Sequence, residues 1–177
     1  MGGVFVANMT GNTVLAGIEI AKGNNLGAWH HLTPLVAFFA GAMLARVMLR
    51  LLKAPMAGIL LEAALIAVVD FLQAGQETAV MIVAFAMGLQ ASTITSFAGH
   101  AVSTVVVTST LARTADAAVD RLWPGAAAPP PSAVNTWLLA LTWAGYLVGA
   151  VIGGLLLSTM AYPLLVPAAL LVVLLLL

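Results

Sequence analysis

Arg121 is the last charged side chain in this 177-residue chain. Everything after it is apolar or neutral, and the same habit runs through the rest of the sequence. Charged residues make up 7% and hydrophobic residues 63%, with a mean hydropathy of +1.12. A soluble domain clothes itself with roughly 25% charged residues, so this chain lacks the material for a water-facing surface. The fold class it predicts is an all-α polytopic membrane protein. A β-barrel would need strands of about 10 residues alternating apolar and polar side chains, and the Leu/Ala/Val runs here do not alternate.

A helix needs about 20 apolar residues to cross hydrocarbon. The apolar blocks fall at residues 4–21, 32–52, 56–72, 78–112, 134–157 and 162–177, which predicts about six transmembrane segments. Two are broken. The first is interrupted by "NMTGN", and the long fourth block by "QASTITSFAGHAVST". The Ala/Pro-rich stretch 122–133 is linker-like but too short to separate domains, so residues 1–177 read as a single membrane domain.

The two halves resemble each other. "FVANMTGNTVLAG" sets against "TVVVTSTLARTA" with Thr10 on Thr108, and "FFAGAMLA" against "TWAGYLVG" with Gly41 on Gly145. "LLEAALIAVV" sets against "LVPAALLVVL", placing Ala63-Ala64-Leu65 on Ala168-Ala169-Leu170. Three matches in one order predict two homologous repeats, residues 1–73 and 78–177. The apolar stretch 78–97 ahead of the second motif has no counterpart in the first half. The expectation is that repeat one lacks its first helix.

Orientation follows Lys and Arg. Arg46, Arg50 and Lys53 mark the turn after the second block as cytoplasmic. If 78–112 is one broken crossing, Arg113 and Arg121 are cytoplasmic too and the repeats are inverted, a plan shared by many transporters. If it crosses twice, the repeats are parallel. The charge bias favours inversion.

Each broken block joins a β-branched run, stiff and extended-favouring, to a helix start rich in capping residues. "VFVAN" leads into Met9-Thr10-Gly11-Asn12, and "STVVV" into Thr108-Ser109-Thr110. Irregular backbone at membrane depth is tolerated where it lines a wet cavity or is buried in protein. A half-helix N-terminus there offers free N–H donors and a positive dipole end. Asn8, Thr10, Gly11, Asn12, Gln90, Thr108, Ser109 and Thr110 are therefore the candidate substrate-binding residues, for a small polar or anionic solute. An ordinary loop and helix cap at the interface is the alternative.

"VFVANMTGNTV", together with "AMGLQAS" at 86–92, resembles the signature of the YoaK-like bacterial inner-membrane proteins, a domain family of unknown function (domain of unknown function 1275). The resemblance covers essentially the whole chain. It implies a multi-pass protein of the bacterial inner membrane with six or nearly six spans, commonly supposed to transport something, and names no substrate. Ser109 stands where the family usually has the glycine of a Thr-Gly-Thr motif, and the family normally has a helix ahead of this Met1.

Ionisable groups at membrane depth are functional candidates. Glu62 sits inside "ILLEAALIAV". With the turn near Ala54, Arg46 and Glu62 both lie roughly 12 Å from it, close enough for an ion pair, or for Glu62 to carry protons while Arg46 tunes it. Asp70, near Gln73 and Glu77, reads as a solvated interfacial charge, and His30 and His31 as an interfacial loop beside Trp29. Gln90, Ser92, Thr93, Thr95 and His100 form a polar patch. Gly41, and Gly145, Gly149 and Gly153 at four-residue spacing, predict close helix packing, in the bundle or across a homodimer.

Zero net charge excludes a basic nucleic-acid surface, and the absence of cysteine excludes disulfides, Fe–S clusters and thiol catalysis. No H-E-x-x-H, G-x-S-x-G or G-x-x-x-x-G-K motif is present. The expected function is therefore non-enzymatic, without metal or cofactor, with membrane lipid and a small polar solute or ion as partners. A small secondary transporter or permease is the first reading; a channel or a non-transporting scaffold are the alternatives.

Overall fold

In the computed structural model, residues 3–52, 55–73, 75–93, 96–97, 100–101 and 136–176 are described. Helix α1 (Met9–Ala21) begins at Asn8, whose side-chain Oδ1 accepts the Gly11 amide at 3.0 Å. That satisfies one of the donors a helix start leaves unpaired. The helix closes on Gly23, whose φ of 74° only glycine adopts without strain. The Gly23 amide returns to the Ile20 carbonyl and the Asn24 amide to that of Glu19, both at 2.9 Å. This double bond pattern is a Schellman stop. Asn24 then opens the next helix, its Oδ1 accepting from the Gly27 amide at 3.0 Å.

Helix α2 (Asn25–Leu52) consequently starts at Asn25 and not at residue 32. His30 and His31, expected in a loop, lie inside it, and His31 is buried. Pro34 misleads a sequence reading, since proline favours the first turn of a helix. Here it sits fully buried within α2. Proline supplies no N–H to the carbonyl four residues back; the Thr33 hydroxyl donates to that His30 carbonyl at 3.3 Å and so helps the helix through.

Helix α3 (Pro55–Phe71) does open on proline, as expected of that residue. Helix α4 (Gln76–Thr93) stops at Thr93, inside the long fourth block. A two-residue antiparallel pairing follows, β1 (Ser96–Phe97) with β2 (His100–Ala101). Helices α5 (Thr136–Thr159) and α6 (Leu165–Leu174) complete the described chain. The architecture is helical. Among the described residues, Asn25–Leu51 is the one helix long and apolar enough to cross a membrane, while Trp143–Thr159 and Leu165–Leu174 are shorter apolar helices.

The chain forms two compact units, residues 1–95 with 162–177, and residues 96–161. In the first, α2 packs along α4, α1 folds back on α2, and α3 lies against α4 and α6. Side-chain size is distributed in the reverse of a water-soluble fold. Ala28, His31, Pro34, Ala37, Gly41 and Ala45 make the buried stripe of α2, while Trp29, Val36, Phe39, Met43 and Val47 face outward. Large apolar residues turned outward suit lipid, and small ones inward let backbones meet.

The meeting point of α2 and α4 is reciprocal. A Cβ on Gly41 would fall on the Phe85 carbonyl oxygen, and a Cβ on Gly88 on the Phe38 carbonyl oxygen. In the second unit, by contrast, no atom of the described residues stands within 4 Å of where a Cβ would be on Gly145, Gly149 or Gly153. Among the described residues, close packing is therefore found at Gly41 and not on the glycine face of α5.

Candidate functional site

The "NMTGN" segment is held by its own side chains. Asn12 is completely buried, and its carboxamide spans to Phe5: Oδ1 accepts the Phe5 amide at 2.9 Å, and Nδ2 donates to the Phe5 carbonyl at 2.6 Å. It pairs with the non-helical segment as a neighbouring strand would, satisfying both polar groups of one residue. Asn8 is spent on the Gly11 amide. Gly11 stays close to both partners: a Cβ there would stand 2.9 Å from Asn8 Nδ2 and 3.1 Å from a ring carbon of Phe5. Thr10, by contrast, is exposed. Of the four candidates in this motif, Asn8, Gly11 and Asn12 build the bend, and Thr10 presents its side chain outward. Thr108, Ser109 and Thr110 lie outside the described residues.

A second polar centre lies where α3 meets α4. Glu62 stands near the middle of α3 with 1% of its surface exposed. Its Oε1 accepts from Gln90 Nε2 of α4 at 2.9 Å, and its Oε2 has no hydrogen-bond partner among the described residues. One turn toward the start of α3, a Cβ on buried Gly58 would stand 2.6 Å from the Thr93 hydroxyl of α4. That hydroxyl donates to the Leu89 carbonyl at 2.8 Å and keeps its acceptor lone pairs. Gly58, Glu62, Gln90 and Thr93 thus form one polar line between two antiparallel helices.

The expected Arg46–Glu62 ion pair is not formed among the described residues. Arg46 is exposed on α2, and the ion pair found is Lys22–Glu19 at 2.9 Å, with His30 Nδ1 3.9 Å from the Glu77 carboxyl. Equal depth below the α2–α3 turn does not make two residues face each other. Because α2 packs along α4, it is α4 that supplies the partner of Glu62.

Asp70 is also corrected by the structure. It is buried rather than solvated, and its Oδ2 accepts the amides of Leu164 at 2.6 Å and Leu165 at 3.0 Å. The start of α6 has no side-chain cap of its own; Asp70, distant in sequence, provides one and meets the positive end of the helix. An apolar helix start without Ser, Thr, Asp or Asn was the only signal in the sequence that a remote cap was needed. Asp70→Ala is expected to destabilise the first unit by about 2 kcal/mol, the upper range for a lost cap, and Asp70→Asn, which keeps one acceptor, by about half that. Thermal unfolding in detergent with both variants checks the order; equal stability of all three proteins would remove the cap.

Compared with known proteins, residues 1–177 match the family described as "Protein of unknown function (DUF1275)". The UPF0700 transmembrane protein YoaK of Bacillus subtilis (strain 168) is 31% identical over 123 residues, which is 63% of this chain and 55% of that protein. The chain spans about half the length of the curated relative it matches. No solved structure matches.

Proposed function

Since this chain belongs to the DUF1275 family, one of whose relatives is named a transmembrane protein, we propose that it is a small secondary transporter, a multi-pass protein of the bacterial inner membrane that carries a small polar or anionic solute. The observation that carries this reading is Glu62. A carboxyl buried in the middle of an apolar helix, with a neutral amide as its partner and one oxygen unmatched, is costly to keep. A purely structural bundle gains nothing from it that leucine would not supply better.

Two further features support the reading. Ala63-Ala64-Leu65 and Ala168-Ala169-Leu170, matched between the proposed repeats, are the middle residues of α3 and α6. These helices run antiparallel, with Asp70 against the start of α6 and Ile66 packed with Ala168. Antiparallel contact between equivalent helices is the relation inverted repeats require. The non-helical stretch before Asn8, clamped by buried Asn12, suits a broken crossing.

Reconstitution into proteoliposomes tests the proposal. A panel of small anions and neutral polar solutes is expected to include one whose uptake saturates and moves protons with it. Glu62→Gln should reduce the accompanying proton uptake to the level of empty liposomes. Uptake that never saturates assigns a channel, and no flux with any solute overturns the transport reading.

A further inference from the structure

The setting of the unmatched Glu62 oxygen says more than that a carboxyl is present. Both helices of the seam contribute oxygen. Glu62 Oε2 is unpartnered among the described residues and its atom surface is closed off. Gln90 donates through Nε2, which leaves its carbonyl oxygen available. The Thr93 hydroxyl donates its hydrogen bond to the Leu89 carbonyl, keeps its acceptor lone pairs, and lies close against Gly58. Apart from the second N–H of Gln90, what remains unpaired in this line is acceptor.

No positive charge answers them among the described residues. Helix α6 carries no ionisable side chain. On α4 the one charged residue is Glu77, at the opposite end from Gln90. On α2, Arg46 and Arg50 are exposed, and His30 and His31 stand near the other end of that helix. On α3 itself, Asp70 is occupied with the α6 amides. A carboxylate oxygen without a donor, buried at the middle of α3, needs a proton or a cation.

We infer that the α3–α4 seam is an exchangeable site for one small monovalent cation, a proton or a sodium ion, bound at Glu62 Oε2, with Gln90 holding the carboxylate and Thr93 supplying a further oxygen. Its role as the coupling-ion site of the transporter rests on the transport reading. Oxygen ligands and a single carboxylate match a hard ion of charge one. Loading neutralises the carboxylate, and unloading leaves a bare charge that the closed seam does not tolerate, so release requires α3 and α4 to part.

Dicyclohexylcarbodiimide, an apolar reagent that modifies protonated carboxyls in membranes, reads the site without any transported solute. In native membranes the peptide holding Glu62 is expected to gain the reagent's mass, and the Glu62→Gln protein is not. The rate should fall at least about tenfold from about pH 5 to about pH 9 as the carboxyl gives up its proton. If sodium is the ion, sodium chloride slows labelling relative to choline chloride at equal ionic strength, and Thr93→Val weakens that protection. If the ion is the proton alone, sodium and choline give the same rate and Thr93→Val changes nothing. Labelling that ignores both pH and sodium, or no labelling of Glu62 across that range, overturns the inference. Flux without a responsive Glu62 would leave an uncoupled permease, whereas a responsive Glu62 without flux would remove transport and keep the site.

Discussion

Gly41→Leu is expected to prevent the first unit from assembling, with Gly88→Leu doing the same from the other side. At Gly41 the nearest atoms are the Phe85 carbonyl and the Leu89 amide, and at Gly88 the Phe38 carbonyl and the Ala42 amide. These are backbone atoms of buried helix faces, so no side chain can rotate to make room. Overpacking a core that relaxes through side chains costs about 1–3 kcal/mol; here α2 and α4 must separate bodily, and the cost is expected to exceed that range. Even alanine collides. The two alanine variants should also be less than additive, because separation forced by the first makes room for the second. Unfolding in detergent of Gly41→Ala, Gly88→Ala and the double variant measures this, and strictly additive losses would show that the two glycines do not share one contact. Gly145→Ala on α5, with no neighbour within 4 Å among the described residues, is the control and should be silent within about 0.5 kcal/mol.

The second large effect is expected at Asn12. Its carboxamide provides the hydrogen-bond partners of both the amide and the carbonyl of Phe5, and it is completely buried. Asn12→Leu keeps the volume and removes both bonds, leaving the Phe5 amide and carbonyl without these partners. Each stranded group costs about 1–3 kcal/mol, and more in hydrocarbon, so the segment ahead of α1 should detach. Limited proteolysis between Phe5 and Asn8 reads the detachment directly. Thr10→Ala, close by in the chain and exposed, should leave that protection unchanged. If solute flux then falls in Thr10→Ala while the fold is intact, the residue faces the solute; if Asn12→Leu is as protected as the parent protein, the clamp is not what holds the bend.

The interruption in the first block is legible because Asn and Thr are favoured helix caps, and the helix does begin next to Asn8. Helix spans are legible to within a few residues for α3 and α5, where a continuous apolar run has two clear ends. The start of α2 is not, because a hydroxyl one residue before Pro34 repairs what proline breaks. Glu62 stands out as a charge among apolar neighbours, yet its partner does not. Distance from the turn points to Arg46, and only helix packing puts Gln90 beside it. Gly88 belongs to the family signature, but nothing in the sequence marks it as a contact, since a glycine carries no sign of what it approaches.

Residue order was enough to dictate the solvent, the helical class and most of the places where helices start and stop. These depend on transfer free energy and on hydrogen bonds within a few residues. Which helices touch was settled by packing in three dimensions. It gave Glu62 an amide in place of a guanidinium, turned Asp70 from a surface charge into the cap of α6, and committed Asn12 to Phe5. In an apolar chain nearly every helix face can be buried against nearly any other. The choice falls to backbone shape at positions such as Gly41 and Gly88, and to polar groups that must find partners once packed.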